Sequence, residues 1–505
     1  MMDIAIIVIY LAAMLAFGWW GKRRTKNSSD FLVAGRRLGP MLYTGTMAAV
    51  VLGGASTVGG VGLGYKYGIS GMWLVVAIAV GLLVLSLVFG SRIQKLKVYT
   101  VAQMLKLRYG MDATSSSGIV MMAYTLMLSV TSTIAYATIF NVLFDANRTV
   151  SVIIGGGIVL LYSSIGGMWS ITLTDMVQFV LKTIGVFFLL LPFAWIHAGG
   201  YEGIVERLGS SVFDLGAIGV DTIVTFFVIY TFGMLIGQDI WQRVFTARSP
   251  KVAKWGGTAA GVYCLLYGVA GALIGTAAAS FMPNMESSDD VYAAIATQIL
   301  PVGVSGIVLA AAVAAMMSTA SGALIATATV ARADVMPLVR RLLGRPAQPI
   351  TSANPEHDMR SNRLYVVVLG LVVIVVATLL NDVVAALTVA YDILVGGLLV
   401  PILGGFLWKR ATGAGALWSM GVGTVVTLGT MVVVGDVLAN EPIYFGLAAG
   451  LIAYIVASLL SKPTPANVLK IWTDRLAGTI DSDTDDAPHA VTDLIATAEG
   501  RRVKR

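Results

Sequence analysis

Residues 41–68 read MLYTGTMAAVVLGGASTVGGVGLGYKYG, and the fold turns on how this stretch is read. It is apolar and longer than the 20 or so residues that cross a bilayer. Six glycines (Gly53, Gly54, Gly59, Gly60, Gly62 and Gly64) crowd around Ala55-Ser56-Thr57. Each glycine weakens a helix by about 1 kcal/mol relative to alanine. The pattern predicts a transmembrane helix that breaks near the middle of the membrane. Close packing against neighbouring helices is the other use that small residues have in a bilayer.

Outward from this stretch, apolar runs of similar length recur along the 505 residues. Hydrophobic residues make up 57% and charged residues 12%, against about 25% charged in a soluble domain; the mean hydropathy is +0.84. The reading is an all-α polytopic membrane protein of about thirteen spans. They fall at 4–20, 41–64, 71–90, 116–143, 150–169, 173–197, 222–240, 253–281, 302–330, 364–381, 384–408, 415–435 and 443–461. The first run lacks the basic start and small-residue cleavage site of a signal peptide, so it reads as a span.

The basic residues set an orientation. Of the 34 Lys and Arg, all but Lys66, Arg148, Arg207 and the intramembrane Lys182 fall on alternate loops or the tail. Cytoplasmic loops carry such an excess, which predicts the N-terminus outside and the C-terminus in the cytoplasm of a cell-membrane protein. The net charge of +7 follows from this bias and from attraction to anionic lipid heads, and requires no nucleic acid. The single Cys264 excludes a disulfide framework. No obligate protein partner is evident.

Four regions result: 1–40, the first helix and a basic loop; 41–410, a transport core of spans 2–11; 411–461, two further helices; and 462–505, a partly disordered cytoplasmic tail. The tail opens with a predicted surface helix from Ala466 to Gly478, followed by an acidic stretch from Asp481 to Asp486. Span 7, TIVTFFVIYTFGMLIGQDIWQRVF, is interrupted by Thr231, Gly233 and Gly237. If spans 2–6 and 7–11 form a 5+5 inverted repeat, spans 2 and 7 correspond. A matched pair of interrupted segments points to a transport site.

Span 9 places Ser318, Thr319 and Ser321 inside an otherwise apolar helix. Hydroxyls and freed carbonyls are hard oxygen ligands suited to a monovalent cation; the same hydroxyls could equally bond back to their own helix. At 1.5 Å per residue, Ser318 and Ala55 each lie roughly 20 Å from the cytoplasmic end of their spans, so break and hydroxyls share a depth. Asp175, Lys182 and Asp392 are ionisable residues within spans, each a site candidate by default. Asp175 and Lys182 are seven residues apart on one helix face, which favours a structural charge network for Lys182. Enzyme motifs are lacking: Arg23 follows the only Gly-Lys pair, so there is no P-loop, and His197, His357 and His489 have no metal spacing.

Six segments carry a resemblance: SSDFLVAGRRLGP (28–40), GASTVGGVGLGYKYG (54–68), YSSIGGMWSITLTDMVQ (162–178), QDIWQRVFTARS (238–249), AAMMSTASGALIATATVARAD (314–334) and GGLLVPILGGFLWKRATGAGA (396–416). Together they resemble the sodium:solute symporter family, whose members carry sugars, proline, pantothenate or sialic acid. The resemblance implies the leucine-transporter fold and symport of sodium with a small organic solute. It implies a sodium site of the carbonyls of Ala55, Val58 and Ala315 and the hydroxyls of Ser318 and Thr319. Asp175 and Ser321 match a second sodium site of some members, or an exit path, but Gly322 stands where those members have serine. Ser56, Thr57, Tyr230, Thr231, Gln238, Tyr391 and Asp392 are the candidate solute contacts. A sodium-independent or proton-coupled facilitator on the same scaffold is the main alternative. A solute sensor would need an effector domain larger than the tail.

Overall fold

A computed structural model describes residues 2–110, 114–144, 147–285, 287–345, 354–380, 383–435 and 439–479. The acidic stretch from Asp481 to Asp486 and prolines Pro346 and Pro349 of the loop after span 9 lie outside the described residues. The described chain is helical, and its one β pairing is a single bridge between Leu38 and Ala247.

The main helices are α1 (Met2–Lys22), α2 (Pro40–Val51), α3 (Gly60–Tyr67), α4 (Trp73–Val84), α5 (Thr114–Phe144), α6 (Arg148–His197), α7 (Val220–Ile236) and α8 (Gln238–Thr246). They continue with α9 (Pro250–Phe281), α10 (Val304–Val330), α11 (Pro355–Leu379), α12 (Val383–Leu407), α13 (Gly413–Val434), α14 (Glu441–Leu460) and α15 (Ala466–Ala477). The last is the expected surface helix, ended by Gly478 in the left-handed conformation.

Among the described residues, ten helices are long and apolar enough to cross a membrane, or eleven if the bent pair α7 and α8 is one span. The difference from the expected thirteen lies where helical turns run on through the ends of spans. Expected spans 5 and 6 join in the 50 residues of α6. At 1.5 Å per residue that is about 75 Å, more than twice the hydrocarbon thickness. The chain turns within it at Gly167 (φ 57°, ψ −136°), a conformation open to glycine, against Phe31. The second half of expected span 2 likewise runs on to Lys95 past Gly68 (φ 62°), which leaves the first half, α2, as a separate 12-residue helix.

At the centre stands α10, buried from Val308 to Val330 and packed on α5 and α6. Its many alanines and small hydroxyls let these neighbours approach closely. Helices α9, α11 and α13 start at built caps, where Ser249, Asn354 and Thr412 accept backbone N–H bonds, the first two followed by proline. Ile9, Phe188, Val433 and Leu460 are among the large apolar side chains on the rim, the surface that lipid would cover.

Basic loops meet one another where Arg36 reaches Val98 O, Lys95 reaches Ala477 O and Arg108 reaches Trp408 O, and this end is called the basic face below. On the opposite face, a cavity of about 730 Å³ runs inward from Lys66, Thr222, Asp289 and Asp290 to Ala55, Val58 and Tyr230. A smaller pocket of about 40 Å³ continues it toward the centre.

Candidate ion and solute site

The expected break in span 2 falls at Leu52 (φ −92°, ψ 76°) and Gly53, just ahead of Ala55. The chain resumes through a wide π turn over Ala55–Gly59 before α3. A Cβ on Gly53 would lie 2.5 Å from Thr319 Oγ1, so only glycine lets the break touch α10. Gly62 and Gly64 serve the other use of small residues, lying against backbone atoms of Ser288 and Ala272. Breaking and packing are therefore divided among the six glycines.

A helix end leaves its last carbonyls without intrahelical partners. Here side chains of other helices reach them. Ser318 Oγ donates to the Ala49 carbonyl at 2.8 Å and is also 2.8 Å from its own helix's Ala315 carbonyl. Thr319 Oγ1 donates to Val50 at 2.7 Å. Each hydroxyl spends its one hydrogen on a carbonyl and keeps lone pairs free to accept a cation. Lys182 Nζ reaches the Ala49 and Leu52 carbonyls at 2.9 and 3.2 Å. Ala55 and Thr319 line the same small pocket, Ala315 sits one turn before Thr319 on α10, and Val58 lies farther out on the cavity wall. These oxygens are hard and neutral, which suits sodium and not a transition metal. Among the described residues no three His, Cys, Asp or Glu cluster to hold a metal.

Toward the basic face, Asp175 and Arg243 form an ion pair at 3.2 Å with both side chains wholly buried. Thr46 Oγ1 also donates to Asp175. Ser321 Oγ turns back to the Ser318 carbonyl at 3.1 Å. A Cβ on Gly322 would lie 2.6 Å from Val50 and 2.8 Å from Arg243 Nη2, so a guanidinium fills the space that a serine there would need. Lys182, expected to network with Asp175, instead has backbone partners, while Asp175 takes Arg243 and Thr46.

The candidate solute contacts divide. Ser56, Tyr230 and Tyr391 line the small pocket, and Tyr230 the outer cavity as well. Tyr391 stacks edge-on against Tyr230 and Tyr124, with ring centroids 5.4 Å apart in both pairs. Thr57 instead bonds the Tyr267 hydroxyl at 3.0 Å, and Thr231 donates to the Ala77 carbonyl at 2.7 Å. Gln238 accepts from Val101 N at 2.8 Å and donates to Tyr99 O at 3.0 Å, sealing the basic side. Asp392 is buried beside the site, and among the described residues neither carboxylate oxygen has a hydrogen-bond partner. Neither cavity is lined by it.

Sequence reasoning missed Thr131, Ser132 and Asp239, which line the small pocket. The hydroxyl run SVTST at 129–133 was a readable signal for the first two. Asp239 accepts from Tyr124 OH at 3.1 Å, a long-range pairing with no local sequence pattern.

A membrane helix broken against a central helix, with a cavity leading to the break from one face, is an arrangement suited to carrying a solute across a membrane. The sodium:solute symporter family model matches residues 31–423, and the chain belongs to that family. Membership makes it a membrane transporter with sodium as coupling ion. Sodium/proline symporter 2 of Staphylococcus saprophyticus is 24% identical over 91% of this chain and 93% of its own. The sodium/proline symporter of Staphylococcus aureus is 23% identical at the same coverage. Among solved structures, the substrate-bound outward-open state of a Na+-coupled sialic acid symporter superposes with a TM-score of 0.79 at 18% identity, covering 92% of this chain and 98% of that one. Mhp1, a nucleobase-cation-symport-1 family transporter in a closed conformation with bromovinylhydantoin bound, gives 0.55 at 15% identity, with the same coverage. At these identities the likeness is one of fold.

Proposed function

We propose that the protein is a secondary active symporter that couples inward sodium movement to uptake of a small organic solute by alternating access. The observation that carries this reading is the pair of hydroxyls, Ser318 and Thr319, holding the broken end of α2 with their lone pairs free. Sodium binds between them, the Ala315 carbonyl and the wide turn at Ala55 and Val58. By clamping the turn to α10 it favours the state open to the far face and orders the solute pocket beside Ser56, Tyr230 and Tyr391. Solute and sodium then strengthen each other's binding reciprocally.

The chain crosses the cell membrane thirteen times, N-terminus outside and C-terminus in the cytoplasm. The turn at Gly167 inside the 75 Å of α6 supports this count, as does the partition of basic residues. Spans 2–6 and 7–11 form the inverted repeat, within a core at 41–410 followed by helices at 411–461 and the tail at 462–505. A single sodium ion fits better than two, because Arg243 already neutralises Asp175. Asp175 then belongs to the exit path. The solute has the size of an amino acid, a reading supported by the proline symporters among the relatives and by a small pocket of tyrosines and hydroxyls.

Uptake by proteoliposomes tests this, with a labelled panel headed by proline, with and without an inward sodium gradient, for wild type and Ser318→Ala/Thr319→Ala. Sodium-driven accumulation that the double variant abolishes is expected. Equal transport without sodium and in the variant would transfer the reading to a facilitator or a proton-coupled carrier.

A further inference from the structure

The mechanism above leaves Lys182 unused. Its side chain is wholly buried, and among the described residues no carboxylate comes within ion-pair range of it. Nζ donates instead to the carbonyls of Ala49 (2.9 Å), Leu52 (3.2 Å) and Ala48 (3.5 Å). These are the oxygens freed where α2 breaks, at a helix C-terminus whose dipole favours a cation. Ser318 Oγ donates to the same Ala49 oxygen, so the 2.9 and 2.8 Å legs keep ammonium and hydroxyl within about 6 Å of each other.

The charge inventory makes this contact consequential. The oxygens of the break itself are neutral, and Asp239 of α8, which lines the small pocket beside it, accepts from the Tyr124 hydroxyl. The titratable groups that face Lys182 are Asp175, two turns away on the same helix, and Cys264 on α9; Asp175 is already paired with Arg243. At the break itself α2 and α10 present carbonyls and hydroxyls. Such a site accommodates one positive charge, and two within this distance at low dielectric repel strongly.

We propose that Lys182 belongs to the ion site, and that sodium binds at Ser318 and Thr319 in exchange for the Lys182 proton. The N–H bond breaks and its electron pair stays on nitrogen. The proton passes to bath water, the amine remains neutral on the carbonyls, and net charge at the break is unchanged. This rests on the sodium site proposed above. A purely structural helix cap would hold the same bonds without exchanging a proton.

The test needs no solute. Purified protein in weak buffer receives sodium chloride, with choline chloride as control, while pH and thermal stability are recorded. The expected result is about one proton released per protein as sodium saturates. The apparent sodium affinity should weaken by up to about tenfold per pH unit lowered, the slope for one proton exchanged. Lys182→Met should release none and bind sodium about tenfold or more tightly at neutral pH, independently of pH. Lys182→Arg, which keeps its proton, should lose stabilisation by sodium. If Lys182→Met fails to fold, the wild-type slope and the arginine variant decide. Sodium stabilisation of the wild type with no proton release and no pH slope would overturn the exchange and leave the sodium site standing. Full proton release from Ser318→Ala/Thr319→Ala would displace the ion from those hydroxyls while the exchange stood. No sodium effect in wild type or Lys182→Met would overturn both.

Discussion

Among the described residues, expected spans 2 and 7 are each broken, and the two breaks are held in different ways. The bend of 44° between α7 and α8 at Gly237 (φ −61°, ψ 130°) is closed from within. Gly237 N donates to Gly233 O at 2.9 Å, and the Trp241 indole reaches back to Leu235 O at 2.8 Å. The break at Leu52–Gly53 has its carbonyls held by Lys182 of α6 and by Ser318 and Thr319 of α10. A break closed by its own helix keeps its shape wherever that helix goes. One closed by neighbours ties their positions together, and a ligand that changes those bonds moves the neighbours. In the proposed repeat the two corresponding breaks would therefore do different work: ion binding is proposed for the first, while the second aims α8 so that Arg243 arrives at Asp175.

That ion pair, with Thr46 of α2 donating to the same carboxylate, joins the two broken helices, and removing half of it should have the largest effect. Asp175→Asn leaves the buried Arg243 guanidinium with no carboxylate in ion-pair range among the described residues, at a cost of about 3–5 kcal/mol. Thermal unfolding in detergent should show a clearly lowered midpoint, partly recovered in Asp175→Asn/Arg243→Gln. An Asp175→Asn protein that melts like wild type would mean the pair does not join the breaks.

A matched pair of alanines sharpens the contrast directly. Gly53→Ala puts a methyl 2.5 Å from Thr319 Oγ1, an overpacking cost of about 1–3 kcal/mol, and should remove stabilisation by sodium. Gly237→Ala meets Asp239 Oδ1 at 2.9 Å and the Tyr124 hydroxyl at 3.1 Å, both at side-chain ends, with φ at −61° where alanine is unstrained. Its melting shift should be smaller and its sodium response intact. Equal sodium responses in the two variants would erase the distinction between the breaks.

What the sequence made legible follows the same line. The glycine cluster announced a break, because glycine's helix cost is local. The cluster centres on Ala55 while the break lies at Leu52–Gly53, because the residue that touches Thr319 decides it and composition does not contain that contact. The hydroxyls on α10 could be read as a pattern, but their acceptors could not. Lys182 and Asp175 share a helix face by spacing, yet they meet different neighbours, and spacing does not identify a neighbour. Arg243 was counted among the basic residues of a loop. That count supports an expected orientation and does not show that the guanidinium is buried. The span count exceeded the helices found because hydropathy marks where lipid-facing chain ends, while helical turns in α6 run on through Gly167.

The smallest expected effect probes the self-closed break alone. Trp241→Phe keeps an aromatic ring against Phe245 and Phe406, whose centroids each lie 6.2 Å away, and removes only the indole donor. Leu235 O is then left at a buried helix end with one partner fewer, which costs about 1 kcal/mol. Because among the described residues no side chain of another helix shares that bond, the loss should stay local: a melting midpoint slightly lowered, with apparent sodium affinity equal to wild type. A Trp241→Phe protein whose sodium affinity moved along with its stability would show that the second break also senses the ion, and the division of work between the two breaks would have to be redrawn.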